Sequence, residues 1–134
     1  MAKYKKKLDA DIRCPLEYGL TIFGGKSGEY PQKLYKALMN SQTVLTVWDD
    51  ARLVGIIRVL DDSEMLAQIH YVLVHPEYQG QGIAGRMVEY IKEKYKNFMY
   101  LELMPEDKNN VPFYEKHGFH VMENGAAMQI CNIN

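Results

Sequence analysis

Cysteine is scarce in this sequence: Cys14 and Cys131 lie near opposite ends of a 134-residue chain, with no CxxC pair and no Cys/His ligand spacing. That excludes a disulfide framework and suits reduced thiols in a cytoplasmic protein. An excess of basic charge is also missing, since 16 Lys plus Arg stand against 17 Asp plus Glu, a formal net charge of -1. Without it a nucleic acid is a poor main partner, because nothing neutralises a run of phosphates. Long hydrophobic runs are absent too. The longest, Leu53 to Leu60, is interrupted by Arg58 and falls far short of a bilayer span, so no membrane partner is expected and the chain reads as soluble. The lysine cluster at Lys3 to Lys7 lacks a following apolar stretch and is no signal peptide. His70, His75, His117 and His120 form no HxH or HxxxH set, so no metal is expected. Repeats, low-complexity tracts and Pro/Gly/Ser linkers are lacking as well, which leaves 1–134 as one domain, with a 47% hydrophobic fraction enough for one core.

The pattern along the chain is α+β. Lys3 to Leu8 reads as a first strand, and Pro15 opens a short helix towards Phe23. Gly24 to Tyr30 is a polar, Gly-rich loop suited to selecting a substrate. Pro31 to Met39 is a helix with Leu34, Ala37 and Leu38 on one stripe. Thr43 to Trp48 and Leu53 to Leu60 form a hairpin across Asp49-Asp50-Ala51-Arg52, and Leu66 to His75 extends it to an antiparallel meander that Pro76 stops. Gly82 to about Tyr95 is the clearest helix, with Ile83, Met87, Tyr90 and Ile91 recurring at helical spacing. Phe98 to Met104 is a buried strand, parallel to the strand before the helix. Val111 to His117 is a short helix, and Gly118 to Val121 and Ala126 to Cys131 are late strands around the Asn124-Gly125 turn.

The chemistry concentrates where a strand passes through two glycines into that clear helix, at Val74 to Ala84. The first N–H groups of a helix have no partner within it, and the helix dipole favours an anion there, so a phosphate fits. Gly80 and Gly82 let the backbone approach the ligand and tolerate positive φ, and Ala84 keeps the first turn close. A strand-to-helix turn that uses glycine for geometry alone is the plain alternative. A dinucleotide fold fits less well: Gly85 completes a GxGxxG frame, but the turn follows late antiparallel strands and not a first βαβ unit. No GK[ST] follows, so a Walker-type triphosphate site lacks its lysine and hydroxyl.

At these residues the sequence resembles the GNAT superfamily of acyl-CoA N-acyltransferases. Gln79-Gly80-Gln81-Gly82-Ile83-Ala84 matches the family's pyrophosphate pattern Gln/Arg-x-x-Gly-x-Gly/Ala, preceded by Val-x-Pro at Val74 to Pro76. A second block, Val111-Pro112-Phe113-Tyr114-Glu115-Lys116-His117-Gly118-Phe119, looks like the family's late helix-to-strand segment, and the likeness covers roughly Thr43 to Cys131. It implies a mixed, mostly antiparallel sheet of about six or seven strands with about four helices, splayed between the fourth and fifth strands. It also implies acetyl-CoA as co-substrate, a small-molecule or peptide amine as acceptor, and a homodimer. Gln79 to Ala84 would hold the pyrophosphate, Val72, Leu73 and Val74 would line pantetheine through their backbone, and Asn110 would touch the coenzyme.

Tyr114 matches the family tyrosine that protonates the departing thiolate, against a plain reading as a core tyrosine. Gln68 stands where many members carry a glutamate base and cannot take a proton. Strand alternation puts His70 on one face with Gln68 and Val72, towards the cleft, where an imidazole could deprotonate the amine; the spacing is similar to that in serotonin N-acetyltransferases. A structural His70, with Glu102 as reserve base, is the other reading. His75 and His117, each ending an element, suit surface or capping roles. With Gln68 in place of glutamate, an acyl-CoA-binding sensor without chemistry is the alternative function.

Overall fold

The computed structural model describes residues 2–5 and 29–133. Lys6 to Leu8, the helix expected from Pro15 and most of the Gly24 to Tyr30 loop lie outside them. The chain divides into two compact units, Met1–Leu103 and Met104–Asn134.

The first unit holds β1 (Ala2–Lys5), α1 (Pro31–Met39), β2 (Thr43–Asp49), β3 (Arg52–Asp61), β4 (Leu66–Val74), α2 (Ile83–Lys94) and β5 (Tyr100–Leu103). The strands form one sheet in the order β1-β2-β3-β4-β5, antiparallel except for the parallel β4–β5 pair. β2 and β3 are central and buried on both faces, which is why they read as near-continuous Val, Ile and Leu rather than as alternating strands.

Helices cover opposite faces of this sheet. α1 starts on Pro31, where a missing N–H costs nothing, and buries Leu34 and Leu38 one turn apart. They pack with Val44, Trp48, Leu53 and Ile56, and with Tyr71 and Leu73 of β4. Gly55, next to Ile56, points the other way, and there α2 comes so close that an added Cβ would stand 3.1 Å from Ile83 Cγ2 and 3.3 Å from Val47 Cβ. Ile83, Met87, Val88 and Ile91 make the buried stripe of α2. Beyond its end, the Tyr95 hydroxyl lies 2.6 Å from Thr43 Oγ1 and donates to Asp61 Oδ2, also at 2.6 Å, tying helix to sheet.

One irregularity matters for the site. Arg58 pairs with Tyr71 but Val59 with Ile69, so His70 is an extra residue, a β-bulge in β4. The bulge reverses the alternation. Gln68 lies opposite Leu60 and Val72 opposite Ile57, three residues apart on β3, so Gln68 and Val72 occupy different faces and the expectation that they share one is corrected.

The second unit contains a 3-10 turn at Lys108–Asn110 and α3 (Val111–Lys116). Gly118, at φ 94°, ends the helix, and Phe119 N–H donates back to Tyr114 O at 3.1 Å. The Asn124-Gly125 turn forms, with Gly125 N–H on Met122 O at 3.0 Å, but neither expected late strand does. Met128 and Ile130 are 93% and 88% exposed, and no ladder holds them among the described residues. The sheet therefore has five strands among the described residues rather than about six or seven, and three of the expected helices are described, the fourth, from Pro15, lying outside those residues. β5 is also shorter than the expected Phe98 to Met104, because Phe98 closes the helix end, its N–H on Tyr95 O at 3.0 Å and its ring edge-on to that of Tyr95 at 4.9 Å.

Candidate active site

β4 ends at Val74, and the chain makes a 3-10 turn at Pro76–Tyr78 before Gln79 extends it again. Gly80 (φ 82°) and Gly82 (φ 81°) are both left-handed, and Gly82 is the N-cap of α2, with no side-chain cap on its free N–H groups. Arg86 N–H bonds Gly82 O at 3.1 Å, so the N–H groups before Arg86 in the helix precede its first i to i-4 bond. A Cβ built on either glycine meets nothing within 4 Å. The glycines are therefore set by backbone sign and not by protein packing, and the space over them is open. Uncapped N–H groups, a dipole end and open space fit a phosphate. Gln79, Gly80 and Gln81 are all exposed in this turn, and Gln79 Nε2 donates to Val74 O at 3.2 Å.

The turn is braced from below. Tyr78 hydroxyl donates to the Asp49 carboxylate, a bond that raises the phenol's pKa. Arg52 pairs with Glu77 at 2.8 Å, stacks over Tyr78 at 5.6 Å and reaches His75 Nε2 at 3.1 Å. His75 Nδ1 accepts from Glu77 N–H at 3.1 Å, which caps the 3-10 turn as expected, although the ring is buried at 8% exposure rather than on the surface. The β2–β3 hairpin end thus clamps the segment that feeds the Gly80–Gly82 turn.

Upstream, the sheet forks. β4 and β5 pair only from Leu66↔Tyr100 to Ile69↔Leu103, so β4 continues through Val74 with no β5 partner. His75 N–H bonds Val54 O at 2.8 Å on β3, and residues 54 and 75 fall in the same register as Ile56↔Leu73. Alternation then points the N–H and C=O of Leu73 at β3 and those of Val72 and Val74 into the fork. The N–H and C=O of Val72 and the N–H of Val74 can add hydrogen bonds to an extended ligand there, while the Val74 C=O already accepts from Gln79 Nε2. Leu73 instead uses its backbone on β3 and its side chain in the α1 core.

At the mouth of the fork, on the α1 face, stands a residue that sequence reading treated only as an interruption. Arg58, 9% exposed, donates Nε–H to Ser41 Oγ at 2.7 Å, and its Nη1 lies 2.6 Å from His70 Nδ1. Ser41 in turn donates to Ala37 O at 2.7 Å, and the guanidinium lies 5.8 Å from the centre of the Tyr71 ring. Burial pushes the Arg58 pKa down, opposed by Tyr71. A guanidinium only donates, so His70 Nδ1 is the acceptor and a neutral His70 carries its proton on Nε2. The His70 and Tyr71 rings pack at 4.5 Å. Gln68 is exposed opposite Glu102 of β5. An arginine centred in a run of Val, Leu and Ile was the signal that could have revealed this cluster, since such a buried charge needs a purpose.

In the second unit, Tyr114 is half-buried on α3, its ring 5.0 Å from Phe113 and 6.0 Å from Phe119. Burial pushes its phenol pKa up, so it holds its proton at neutral pH. Asn110, exposed, precedes α3 and donates N–H to Asp107 O at 3.0 Å; Asp107 also caps Asn109 N–H at 2.9 Å. His117 ends α3 with its ring 4.8 Å from Phe113. Among the described residues no group of His, Cys, Asp and Glu could hold a metal, and no helix is long and apolar enough to cross a membrane.

A family model described as acetyltransferase (GNAT) family matches residues 16–119. An uncharacterised N-acetyltransferase, ycf52-like, of Prochlorococcus marinus is 28% identical over 99 residues, 70% of this chain and 55% of that relative. The chain thus spans about half the length of this curated relative. Among solved structures, a protein of unknown function from meticillin-resistant Staphylococcus aureus, described as a probable acetyltransferase, superimposes with a TM-score of 0.78 at 25% identity, covering 98% of this chain and 99% of that one. A GNAT family acetyltransferase from Elizabethkingia anophelis with acetyl-CoA bound shares the fold, with a TM-score of 0.67 at 18% identity over 90% of this chain and 77% of its own.

Proposed function

The chain belongs to the acetyltransferase (GNAT) family, and on that premise we propose that it moves an acetyl group from acetyl-CoA to a primary amine by direct attack in a ternary complex. The observation that carries this reading is the turn at Gln79 to Ala84, where two left-handed glycines open onto uncapped helix N–H groups at the end of a strand that has parted from its neighbour. The matched residues run through both compact units, which supports treating 1–134 as one catalytic domain.

In this reading the backbone of Gly80 to Ala84 takes the pyrophosphate, and Val72 and Val74 hold pantetheine as an added strand, with Leu73 anchoring them from behind. Asn110 is the proposed outer contact of the coenzyme. The amine nitrogen forms its bond to the acetyl carbonyl carbon as the carbon–sulfur bond breaks. The ammonium's proton leaves to a base, and Tyr114 gives its own to the thiolate and regains it from water. The Tyr114 phenol, its pKa pushed up by burial, keeps its proton until charge develops on sulfur. Holding both reactants in one fork supplies much of the rate.

His70 stands at the fork as the proposed base, with Arg58 donating to its Nδ1. For His70 to take a proton, that hydrogen bond must break, because both nitrogens of an imidazolium are donors, which leaves Glu102 and a water chain as rivals. Retention of the neutral-pH limb of the rate profile in His70→Gln would remove His70 from this role. The engaged Nδ1 and the Gln68 side chain also favour, as second reading, an acyl-CoA sensor without turnover. Coenzyme A release from acetyl-CoA across a panel of amines separates the two: release supports the enzyme, while calorimetric binding without release supports the sensor.

A further inference from the structure

Arg58 is a cation more than nine-tenths buried whose hydrogen-bond partners, the Ser41 hydroxyl and the His70 ring, carry no negative charge of their own. The ion pairs among the described residues are Arg52–Glu77, Lys92–Glu89 and Lys96–Glu93, all at the surface and none involving Arg58. A buried charge with no counter-charge among the described residues is costly, and the Tyr71 ring offsets only part of that cost. Two nitrogens of the guanidinium, Nε and Nη1, have protein partners, which leaves Nη2 with none among the described residues. Among the described residues no enclosed side-chain nitrogen or oxygen lacks a partner, so Nη2 is not fully enclosed. It lies at the level where β4 and β5 separate, because Arg58 pairs with Tyr71 just beyond the last β4–β5 pair, Ile69↔Leu103.

We propose that Arg58 is a specificity-determining residue that binds a carboxylate on the acceptor, so that the acceptor is a small amino acid-like molecule carrying amine and carboxylate together. This rests on the acetyl-transfer reading above. A single guanidinium, flanked by a hydroxyl and an imidazole rather than by further cations, matches a monoanion better than a phosphate dianion. Ser41 and His70 fix the guanidinium plane, so little side-chain freedom is lost when the carboxylate arrives, and the charge supplied by the acceptor completes a pair that no described residue completes. An acceptor lacking the carboxylate must desolvate its site against an unanswered cation, which is the physical basis of discrimination.

The test uses the full chain, acetyl-CoA, and amino acids each set against the matching carboxamide, with release of coenzyme A thiol as readout. The carboxamide loses only the negative charge, and its amine gives up a proton more readily, so chemistry alone favours it. The expected result is a preference for the acid of about tenfold or more in kcat/KM, expressed in KM. Arg58→Met should erase that preference and Arg58→Lys should restore part of it, while acetyl-CoA still raises the Tm of both variants, which shows that they fold and keep the donor site. Equal or better turnover of carboxamides by the unaltered protein would overturn the inference, as would a loss in Arg58→Met that falls equally on both classes. If acetyl-CoA raises Tm but no amino acid is acetylated, the inference fails and the coenzyme reading stands. If acetyl-CoA raises no Tm, the acetyl-transfer reading itself fails.

Discussion

The two ends of the fork are built in opposite ways. The donor end, Gln79 to Ala84, is made of backbone: two glycines of positive φ and uncapped N–H groups facing open space. The proposed acceptor end is made of side chains, Arg58 held by Ser41 and His70 beneath α1 and made possible by a bulge. The difference teaches where specificity resides. In the proposed reading a backbone cradle would bind the phosphates of a common coenzyme with any side chains around it, whereas a buried guanidinium would distinguish one class of acceptor from another.

Breaking the donor end should have the largest effect. Gly82→Val forces a β-branched residue into the left-handed region, costing roughly 1–2 kcal/mol of backbone strain, and fills the space over the helix N–H groups. Calorimetry should then detect no acetyl-CoA binding, and binding of unchanged strength would detach the coenzyme from this turn. Tyr114→Phe should lower kcat about a hundredfold with the acetyl-CoA Kd unchanged. Unaltered turnover would return Tyr114 to packing alone.

The remaining tests lie outside both ends and sharpen the contrast by leaving acetyl-CoA binding untouched. Tyr95→Phe strands the buried Thr43 hydroxyl and removes a donor from Asp61, for a loss of about 1–2 kcal/mol in denaturant unfolding. Burial, and next the bond to Asp61, push the Tyr95 phenol up to about 12, against about 10 in an unfolded chain. Its contribution is therefore complete below pH ~10 and is lost as pH rises from there through ~12, and this alkaline loss should shrink in the variant. A variant with the same alkaline slope as the parent would place that titration elsewhere. Smallest of all, Glu77→Gln breaks an exposed pair with Arg52 and should leave Tm nearly unchanged. A large drop would mean that the brace under the phosphate turn depends on it.

The contrast also explains what could be read from sequence. Backbone sites announce themselves locally, since left-handed turns at a helix start require glycine, and Gly80 and Gly82 are adjacent to the helix they cap. The meander and both long helices were equally legible, because their periodicity is set by burial on one or two faces. Arg58 was not, because its partners come from Ser41 on the loop after α1 and His70 on the next strand, and only the fold unites them. The bulge at His70 left no mark in the alternation of apolar residues, so the face of Val72 was misassigned. The late strands failed for another reason: Ala126 to Cys131 has strand-forming residues, but a strand exists only with a ladder to join.

The most direct test of the central claim is the Tm of the unaltered chain and of Gly82→Val, each with and without acetyl-CoA at about a hundred times its Kd for the unaltered chain. The expected result is a stabilisation of about 2.7 kcal/mol, a rise of several degrees, in the unaltered chain and none in the variant. No rise in the unaltered chain, or an equal rise in both, would contradict the assignment of the coenzyme to this turn.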